Sequence, residues 1–179
     1  MDVHYLEQLL GQFKHQFKAE AALTQWRPQF QVHCFDQVSS TNAKLWELVD
    51  GGSPAGTVAI AARQTAGRGQ WGRQWQSQLG GLYLSLALAP EIDANQVTLL
   101  TLASAWGIAQ SLRAAGVPVR LKWPNDLVLA GRKLGGILTE SRISAARLTW
   151  SVIGVGINWA NPVPANGIGL KSFPMPLNA

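Results

Sequence analysis

A glycine- and arginine-rich loop between two predicted strands constrains the fold of this chain more than any other segment. Residues 64–75 read QTAGRGQWGRQW, and the apolar segments at 57–62 and 81–88 on either side each predict a buried strand. P-loops and dinucleotide-binding fingerprints both need a helix N-terminus directly after their glycines. A strand after the loop therefore excludes both of these nucleotide-binding classes.

The composition of this loop predicts an anion-binding site. Glycine leaves backbone N–H groups accessible to a ligand, and Arg68 and Arg73 add planar guanidinium donors. Trp75 can stack on a flat base. These features favour a nucleotide or another phosphorylated ligand. The alternative is a flexible basic hairpin loop at the surface.

A run of short polar residues gives a second candidate for ligand binding. Ser40, Thr41 and Asn42 directly precede a predicted helix at 43–49. Serine, threonine and asparagine are the preferred residues at a helix start, so one of these side chains is expected to cap the helix. Capping uses a single side chain, and the remaining hydroxyl and amide groups are free to face a small polar ligand.

Lys122 gives a third candidate, because it ends a predicted strand. Pro124 cannot donate to a ladder, so strand pairing stops there, and Asn125 and Asp126 turn the chain into the next strand. A lysine held at a strand end suits contact with a carboxylate or a phosphate as a point charge. The alternative is a solvated lysine beside an ordinary turn.

Five segments, taken together and in order, resemble the catalytic domain of biotin–protein ligases, the biotin–[acetyl-CoA-carboxylase] ligase family. They cover roughly residues 32–161. The matching segments are Ser40-Thr41-Asn42, the loop with Gly67-Arg68-Gly69, Gly72-Arg73 and Trp75, the run Lys122-Trp123-Pro124-Asn125-Asp126, residues 132–140 (RKLGGILTE) and residues 153–158 (IGVGIN). The resemblance implies an ATP-dependent ligase that forms biotinyl-5′-AMP with Mg²⁺-ATP. The biotin then passes to a lysine of the biotin carboxyl carrier protein of acetyl-CoA carboxylase.

The resemblance also implies a role for each matching residue. Arg68 and Lys122 are the catalytic candidates, since both would contact the biotin carboxylate or the α-phosphate of ATP. The polar groups near residue 40 and Gln64 would hydrogen-bond the ureido ring, and the glycine loop would close over biotin and the adenylate. The implied biotin-binding residues are Ser40, Thr41, Asn42, Gln64, Gly67, Arg68, Gly69, Gln70 and Lys122. The implied ATP-binding residues are Arg73, Trp75, Lys133 and Asn158, with Trp75 on the adenine and Asn158 at its edge.

One position departs from the family pattern. Many members carry arginine where this chain has Gln70. Glutamine keeps hydrogen-bonding capacity and loses a charge. We therefore expect a weaker electrostatic hold on the adenylate, compensated in part by the neighbouring Trp71.

The predicted elements indicate an α+β fold with a mixed, mostly antiparallel sheet and flanking helices. Hairpins near residues 131–132 and 145–146 join predicted strands at 127–130, 134–141 and 148–155, and hairpin neighbours pair antiparallel. A long apolar helix is predicted over residues 96–115, ended by Gly116. An early strand is predicted from the alternation of Phe30, Val32 and Cys34. The fold of the family, related to class II aminoacyl-tRNA synthetases, agrees with this arrangement.

The chain is expected to form a single catalytic domain over residues 1–179. Residues 1–30 form a helical extension whose apolar face carries Leu6, Leu9, Leu10, Phe13 and Phe17. One helix does not make a helix-turn-helix domain, so no DNA-binding role is expected. Residues 162–179 read as a Pro-rich tail, without the small C-terminal domain that the family usually carries. A shortened, non-catalytic module that binds biotin or biotinyl-AMP, and a related lipoate or octanoate transferase, stay open as alternatives.

The composition limits the remaining function classes. A net charge of +5 and a pI near 9.8 suit anionic ligands and an acidic carrier domain. Cys34 is the single cysteine, which excludes a disulfide framework, and the three histidines show no metal-ligand spacing, so no protein metal site is expected. No signal peptide or membrane span is evident, which predicts a cytoplasmic protein. The sequence leaves dimerisation open.

Overall fold

A mixed β-sheet flanked by two helices organises the described part of the chain. The computed structural model describes residues 29–90 and 92–174, so the predicted N-terminal helix lies outside the described residues. The helices are α1 (Thr41–Asp50) and α2 (Val97–Ala114). The strands are β1 (Gln31–Val38), β2 (Thr57–Gln64), β3 (Leu82–Leu88), β4 (Ile92–Asp93), β5 (Arg120–Lys122), β6 (Asp126–Leu129), β7 (Arg132–Ser144) and β8 (Arg147–Ile157). Short 3₁₀ turns occur at Gln70–Gly72, Ala94–Gln96 and Leu170–Ser172.

The order of the strands confirms the predicted mixed sheet. Seven strands run in the order β1-β2-β3-β8-β7-β6-β5, and the short β4 pairs with β8. Strands β1 and β2 pair parallel, and the other strand pairs are antiparallel. The parallel pair places α1 in the crossover between β1 and β2, at the end of the sheet from which the glycine loop starts.

The two predicted hairpins are confirmed, and both turn through left-handed backbone. Ala130 and Gly131 link β6 to β7 with φ values of 49° and 75°, and Ala145 and Ala146 link β7 to β8 with 48° and 58°. Two central residues with positive φ define the turn that matches the right-handed twist of a hairpin. Alanine is strained there and glycine is not, so the first hairpin has the better suited sequence.

The two helices pack on opposite faces of the sheet, as the alternation along β8 shows. Val152 packs with Leu45 and Val49 of α1, whereas Ile153 and Val155 belong to the cluster under Ala105 and Ala109 of α2. On the α1 face the next two positions of β8 are Gly154 and Gly156. These residues carry no side chain, so they leave a hollow beside the start of α1.

The C-terminal end of α1 is attached to β7 by a charged pair. Arg142 Nη2 donates to Asp50 Oδ2 at 3.0 Å, and the guanidinium carbon lies 4.1 Å from the ring centroid of Trp46. The hydrogen bonds from Arg142 lower the pKa of the Asp50 carboxyl group, and those from Asp50 raise the pKa of Arg142. This pair fixes the end of α1 that lies away from the hollow.

Candidate active site

A pocket of about 490 Å³ occupies the hollow on the α1 face of the sheet. Its lining comes from the start of α1, the glycine loop, the β5–β6 turn, strands β7 and β8, and residues 164–167. A volume of this size is typical of a small-molecule site. The structure therefore brings together segments that lie more than a hundred residues apart in the sequence.

The pocket contains all but one of the predicted site residues. Those that line it are Ser40, Thr41, Asn42, Gln64, Arg68, Gly69, Gln70, Arg73, Trp75, Lys122, Lys133 and Asn158. Gly67 lies behind the loop instead. A Cβ atom at Gly67 would meet the Trp75 carbonyl oxygen at 2.4 Å and Ser77 Oγ at 2.5 Å. Position 67 therefore requires glycine because the loop backbone passes too close to Gly67 to leave room for a side chain.

Gln64 organises the polar end of the pocket. Its Oε1 accepts hydrogen bonds from the Thr41 backbone N–H at 2.7 Å and from Thr41 Oγ1 at 3.2 Å, and its Nε2 donates to Ser77 Oγ at 2.7 Å. Ser40 occupies the N-cap position of α1, which agrees with the predicted helix start, but its side chain makes no capping hydrogen bond, so the predicted side-chain cap is not formed. The first N–H of the helix is bonded by Gln64 in its place.

Asn42 is held by hydrogen bonds to two strands, β3 and β7, at the wall next to this end. Ser85 Oγ donates to Asn42 Oδ1 at 2.6 Å, and Asn42 Nδ2 donates to Glu140 Oε2 at 2.9 Å and to the Leu138 carbonyl oxygen at 3.4 Å. A Cβ atom at Gly154 would come within 2.2 Å of Asn42 Oδ1. Asn42 therefore needs glycine beneath it, and its amide orientation is fixed before a ligand is present.

Four basic side chains reach the pocket, and they differ in their ionic partners. Arg68 Nη1 pairs with Glu140 Oε1 at 3.1 Å, and Lys133 Nζ pairs with Asp126 Oδ1 at 2.6 Å. Within residues 29–90 and 92–174, no carboxylate pairs with Lys122 or Arg73, and both side chains are exposed. An incoming anion would therefore find two uncompensated positive charges.

Lys122 is presented by the turn that the sequence predicted. Strand β5 ends at this lysine and β6 begins at Asp126, which confirms the predicted strand end and turn. The peptide bond between Trp123 and Pro124 is cis. Asn125 stabilises the turn, since its Nδ2 donates to the Ile137 carbonyl oxygen at 2.8 Å. The lysine thus leaves the sheet from a fixed backbone position.

Trp75 packs flat on the pocket floor because Gly156 has no side chain. A Cβ atom at Gly156 would lie 2.4 Å from the indole Nε1, and Lys133 Nζ lies 5.5 Å from the indole ring centroid. The indole N–H is buried and has no hydrogen-bond partner. Asn158 is buried nearby, and its Oδ1 accepts from Asn161 Nδ2 at 3.0 Å. The adenine contacts assigned to Trp75 and Asn158 by resemblance stay predictions.

The glycine loop forms a short internal turn over the pocket. Gly69 N–H donates to the Arg73 carbonyl oxygen at 2.7 Å, and Trp75 N–H donates to the Gly67 carbonyl oxygen at 2.9 Å. Trp71, at the tip, has a φ of 59° and is 90% exposed. A strained, exposed tryptophan beside a ligand site is available for contact with a ligand.

The segment after β8 forms part of the pocket wall. Lys133 N–H donates to the Asn166 carbonyl oxygen at 3.0 Å, and Ile168 N–H donates to the Lys133 carbonyl oxygen at 2.9 Å. Ile168 and Leu170 are buried in the cluster under α2. These contacts place Asn166 and Gly167 at the pocket, which the reading of this segment as a Pro-rich tail did not anticipate.

Sequence reasoning missed Ser77, Ser85 and Glu140, which hold the predicted residues in place. The alternation along β7 could have identified Glu140. Residues 136, 138 and 140 share the α1 face of the sheet, where β8 leaves space at Gly154 and Gly156. Ser85 is a polar residue inside an apolar strand, which is the usual sign of a buried hydrogen bond. No such signal identifies Ser77, whose role follows from its hydrogen bonds with Gln64 and with the Trp75 carbonyl oxygen.

A protein-bound metal does not fit the described residues. They contain no group of three or more metal-ligating side chains, and the carboxylates of Asp126, which lines the pocket, and Glu140, which contacts Asn42, are paired with basic side chains. In proteins that bind ATP, Mg²⁺ is held chiefly by phosphate oxygens and needs no dedicated cage of protein ligands. Neither described helix is both long and apolar enough to cross a membrane.

The chain belongs to the biotin/lipoate A/B protein ligase family, whose model matches residues 34–158. Within that family its similarity is to biotin ligases. It is 42% identical over 125 residues to the bifunctional ligase/repressor BirA of Bacillus subtilis, covering 69% of this chain and 38% of that protein. It is 34% identical over 135 residues to the biotin–[acetyl-CoA-carboxylase] ligase of Paracoccus denitrificans, covering 74% and 56%. The chain thus spans between about a third and about half of the length of these relatives.

Solved structures show the same fold. The biotin acetyl coenzyme A carboxylase synthetase of Helicobacter pylori, solved with bound biotinylated ATP, has a TM-score of 0.62 and 29% identity over 79% of this chain and 65% of that one. The biotin protein ligase of Aquifex aeolicus, solved with biotin and ATP, has a TM-score of 0.58 and 32% identity over 78% and 59%. The predicted biotin ligase-like fold is confirmed.

Proposed function

We propose that this chain activates biotin with Mg²⁺-ATP as biotinyl-5′-AMP and transfers the biotin to a lysine of a biotin carboxyl carrier protein. The observation that carries the proposal is a single pocket with two chemically different ends. Hydroxyl and amide groups around Thr41 and Gln64 lie at one end, and Lys122 and Arg73, which have no carboxylate partner in the described part of the chain, line the same cavity. Biotin has a polar ureido ring and a carboxylate, and ATP is a polyanion, so together they match this division.

The chemistry that the pocket would perform needs alignment more than a nucleophile from the protein. The biotin carboxylate attacks the α-phosphorus of ATP, a P–O bond forms, and pyrophosphate leaves. Two anions must be brought together and negative charge builds at phosphorus, so fixed cations and N–H donors supply the catalysis. Lys122 would neutralise both reacting groups, and Arg68 would hold the carboxylate or the α-phosphate. The carrier lysine then attacks the anhydride and AMP leaves.

Several observations support biotin over lipoate as the ligand. Thr41, Asn42 and Gln64, which are all polar, line one part of the pocket, and the buried Ser85 hydrogen-bonds to Thr41. A lipoyl chain would need an apolar tunnel. The relatives from Paracoccus and Mycobacterium are named biotin–[acetyl-CoA-carboxylase] ligases, and this proposal extends that activity to the present chain. A cytoplasmic location would give it access to ATP and to a carboxylase.

The decisive experiment is single-turnover formation of biotinyl-5′-AMP from biotin and Mg²⁺-ATP, followed by addition of a biotin carboxyl carrier domain. Lipoic acid in place of biotin is the matched control. Adenylate that forms and passes to the carrier supports the complete proposal. Adenylate that forms and is not transferred restricts this chain to the activation step. Tight biotin binding without adenylate would identify a binding module, and a lipoyl adenylate would identify the other branch of the family.

A further inference from the structure

Glu140 contacts two residues that line the pocket, Arg68 and Asn42, and the proposed reaction assigns it no role. It lies on β7 opposite Val152 of β8, on the face that carries α1 and the pocket. The preceding residue, Thr139, points to the other face, and its Oγ1 accepts a hydrogen bond from Thr101 Oγ1 of α2 at 2.7 Å. Strand alternation therefore directs the Glu140 carboxylate toward the pocket wall, where its side chain is 26% exposed.

Both carboxylate oxygens of Glu140 are occupied by groups that belong to the candidate site. Arg68 Nη1 lies 3.1 Å from Oε1, and Arg68 Nη2 donates to Oε2 at 3.2 Å. Asn42 Nδ2 donates to Oε2 at 2.9 Å. One side chain on the sheet thus joins the glycine loop to the first turn of α1.

The contact leaves Arg68 able to bind a ligand. A guanidinium carries five N–H donors, and this pair uses one from each terminal nitrogen. Arg68 Nε makes no hydrogen bond to a residue within the described ranges. An arginine side chain loses rotamer entropy when it is fixed. Since Glu140 already fixes the guanidinium, a ligand would not have to supply that ordering.

The Asn42 side chain is also held in one orientation before a ligand binds. Its amide nitrogen is shared between Glu140 and the Leu138 carbonyl oxygen, and its Oδ1 accepts from Ser85. This leaves a carbonyl oxygen of defined orientation, with one lone pair available to a donor such as a ureido N–H. Loss of the Glu140 charge would remove a strong acceptor from the donors of both Arg68 and Asn42.

We propose that Glu140 is a positioning residue that holds Arg68 and Asn42 in their ligand-binding arrangement before the ligand arrives. The identity of the ligand rests on the proposed function, whereas the arrangement itself does not. Glu140 touches neither reacting group. It acts through the two side chains that it orients, and it fastens the glycine loop to the sheet.

The first test uses the ligand-free protein and is independent of any activity. Glu140→Gln keeps an acceptor for Asn42 and removes the charge that holds Arg68. We expect hydrogen exchange of the Gly69 and Trp75 amides, both bonded inside the loop, to accelerate at least threefold, as it should in Arg68→Ala. The matched control is Asp50→Asn, which breaks a similar arginine–carboxylate pair, between Asp50 of α1 and Arg142 of β7, away from the pocket. Exchange unchanged in Glu140→Gln overturns the proposal.

The second test measures ligand binding in Glu140→Gln, Arg68→Ala and the double variant. We expect the Kd for biotin and the dissociation rate of biotinyl-5′-AMP to rise about tenfold in Glu140→Gln, with a smaller change in the rate of the chemical step. The double variant should be no worse than Arg68→Ala alone. Tighter binding in Glu140→Gln would show that the carboxylate competes with the ligand, and additive losses would show that it acts apart from Arg68. If the wild-type chain forms no adenylate, the proposed function fails while the exchange measurement still decides the role of Glu140.

Discussion

At the scale of single residues, the basic side chains of the pocket fall into two groups, according to whether a carboxylate pairs with them. Arg68 and Lys133 each face a carboxylate, and their charge is compensated in the ligand-free protein. Lys122 and Arg73 have no such partner among the described residues. The uncompensated pair is suited to neutralise charge that the substrates bring, and the compensated pair is suited to fix geometry. Lys122 is therefore the residue whose loss should affect chemistry more than binding.

Lys122→Met tests this assignment, because methionine keeps the length of the side chain and removes the charge. We expect biotinyl-5′-AMP formation to slow by about 10²- to 10³-fold, since a donor directed at developing charge is lost. The Kd for biotin should change less than tenfold. Rapid-quench measurement of the adenylate and a biotin titration give the two values.

Lys171→Met is the matched control for this prediction. Lys171 is an exposed lysine of the Leu170–Ser172 turn that does not line the pocket. It should leave both values unchanged. If the loss of biotin affinity in Lys122→Met is as large as the loss of rate, Lys122 stabilises the ground state and the assignment is wrong.

At the scale of elements, strand β8 is divided between two tasks by its alternation. Its α2 face carries branched apolar residues that build the core, and its α1 face carries Gly154 and Gly156, which leave room for Asn42 and Trp75. The glycines weaken the strand, because they pack no side chain of their own. The pocket therefore exists at the expense of local strand stability.

Gly154→Ala should close this space. The added Cβ would lie 2.2 Å from Asn42 Oδ1, so Asn42 must move and lose its contacts with Ser85 and Glu140. We expect a loss of about 1–3 kcal/mol in the free energy of unfolding, the usual effect of overpacking. Biotin affinity should fall at least tenfold. Urea denaturation and a biotin titration measure the two effects.

The control is the same substitution at a glycine that faces open space. Gly107 is exposed on α2 and has nothing within 4 Å of an added Cβ. Gly107→Ala should raise the free energy of unfolding by about 0.5–1 kcal/mol, since alanine is the better helix former, and should not alter biotin binding. Wild-type biotin affinity in Gly154→Ala would contradict the proposed role of Asn42.

Most elements could be predicted from the sequence, because their signals are local. The apolar runs fix β2 and β3, the helix over 96–115 is observed at Val97–Ala114, and positive φ at Gly116 marks its end. The cap of α1 could not be predicted. It depends on Gln64, which lies 23 residues further along the chain and becomes a neighbour only when β1 and β2 pair.

At the scale of the whole molecule, the site is assembled by the sheet. The parallel β1–β2 pair brings Gln64 to the start of α1, and the central β3–β8–β7 strands bring Ser85, Gly154 and Glu140 into one layer. Motif order allowed twelve of the residues that line the pocket to be predicted, but their contacts follow from strand register, which local patterns do not specify. Because strand pairing positions the pocket residues, ligand binding at the pocket is coupled to the stability of the sheet.

Tyr83 links the stability of the sheet to alkaline pH. The residue is 1% exposed on β3 opposite Gly156, and its Oη donates to the Gln78 carbonyl oxygen at 2.7 Å. Burial raises the pKa of the Tyr83 phenol to about 12 from an ordinary value of 10.0. The folded state therefore binds the phenolic proton more tightly than the unfolded state does. The stability linked to this proton is fully present below pH 10.0 and is lost as the pH rises through about 12.

Tyr83→Phe should separate the titration of the Tyr83 phenol from that of the other side chains that titrate at alkaline pH. The variant loses a buried hydrogen bond, so at neutral pH we expect its free energy of unfolding to be about 1 kcal/mol lower than that of the wild type. Between about pH 9 and about pH 11.5 the wild-type protein should lose more stability than the variant, and the difference between them should shrink, because only the wild type must release the phenolic proton. Urea denaturation of both proteins across this range measures the difference. A constant difference would mean that the Tyr83 phenol titrates alike in the folded and unfolded chains, and that its burial against the pocket floor has no part in the alkaline limit of the fold.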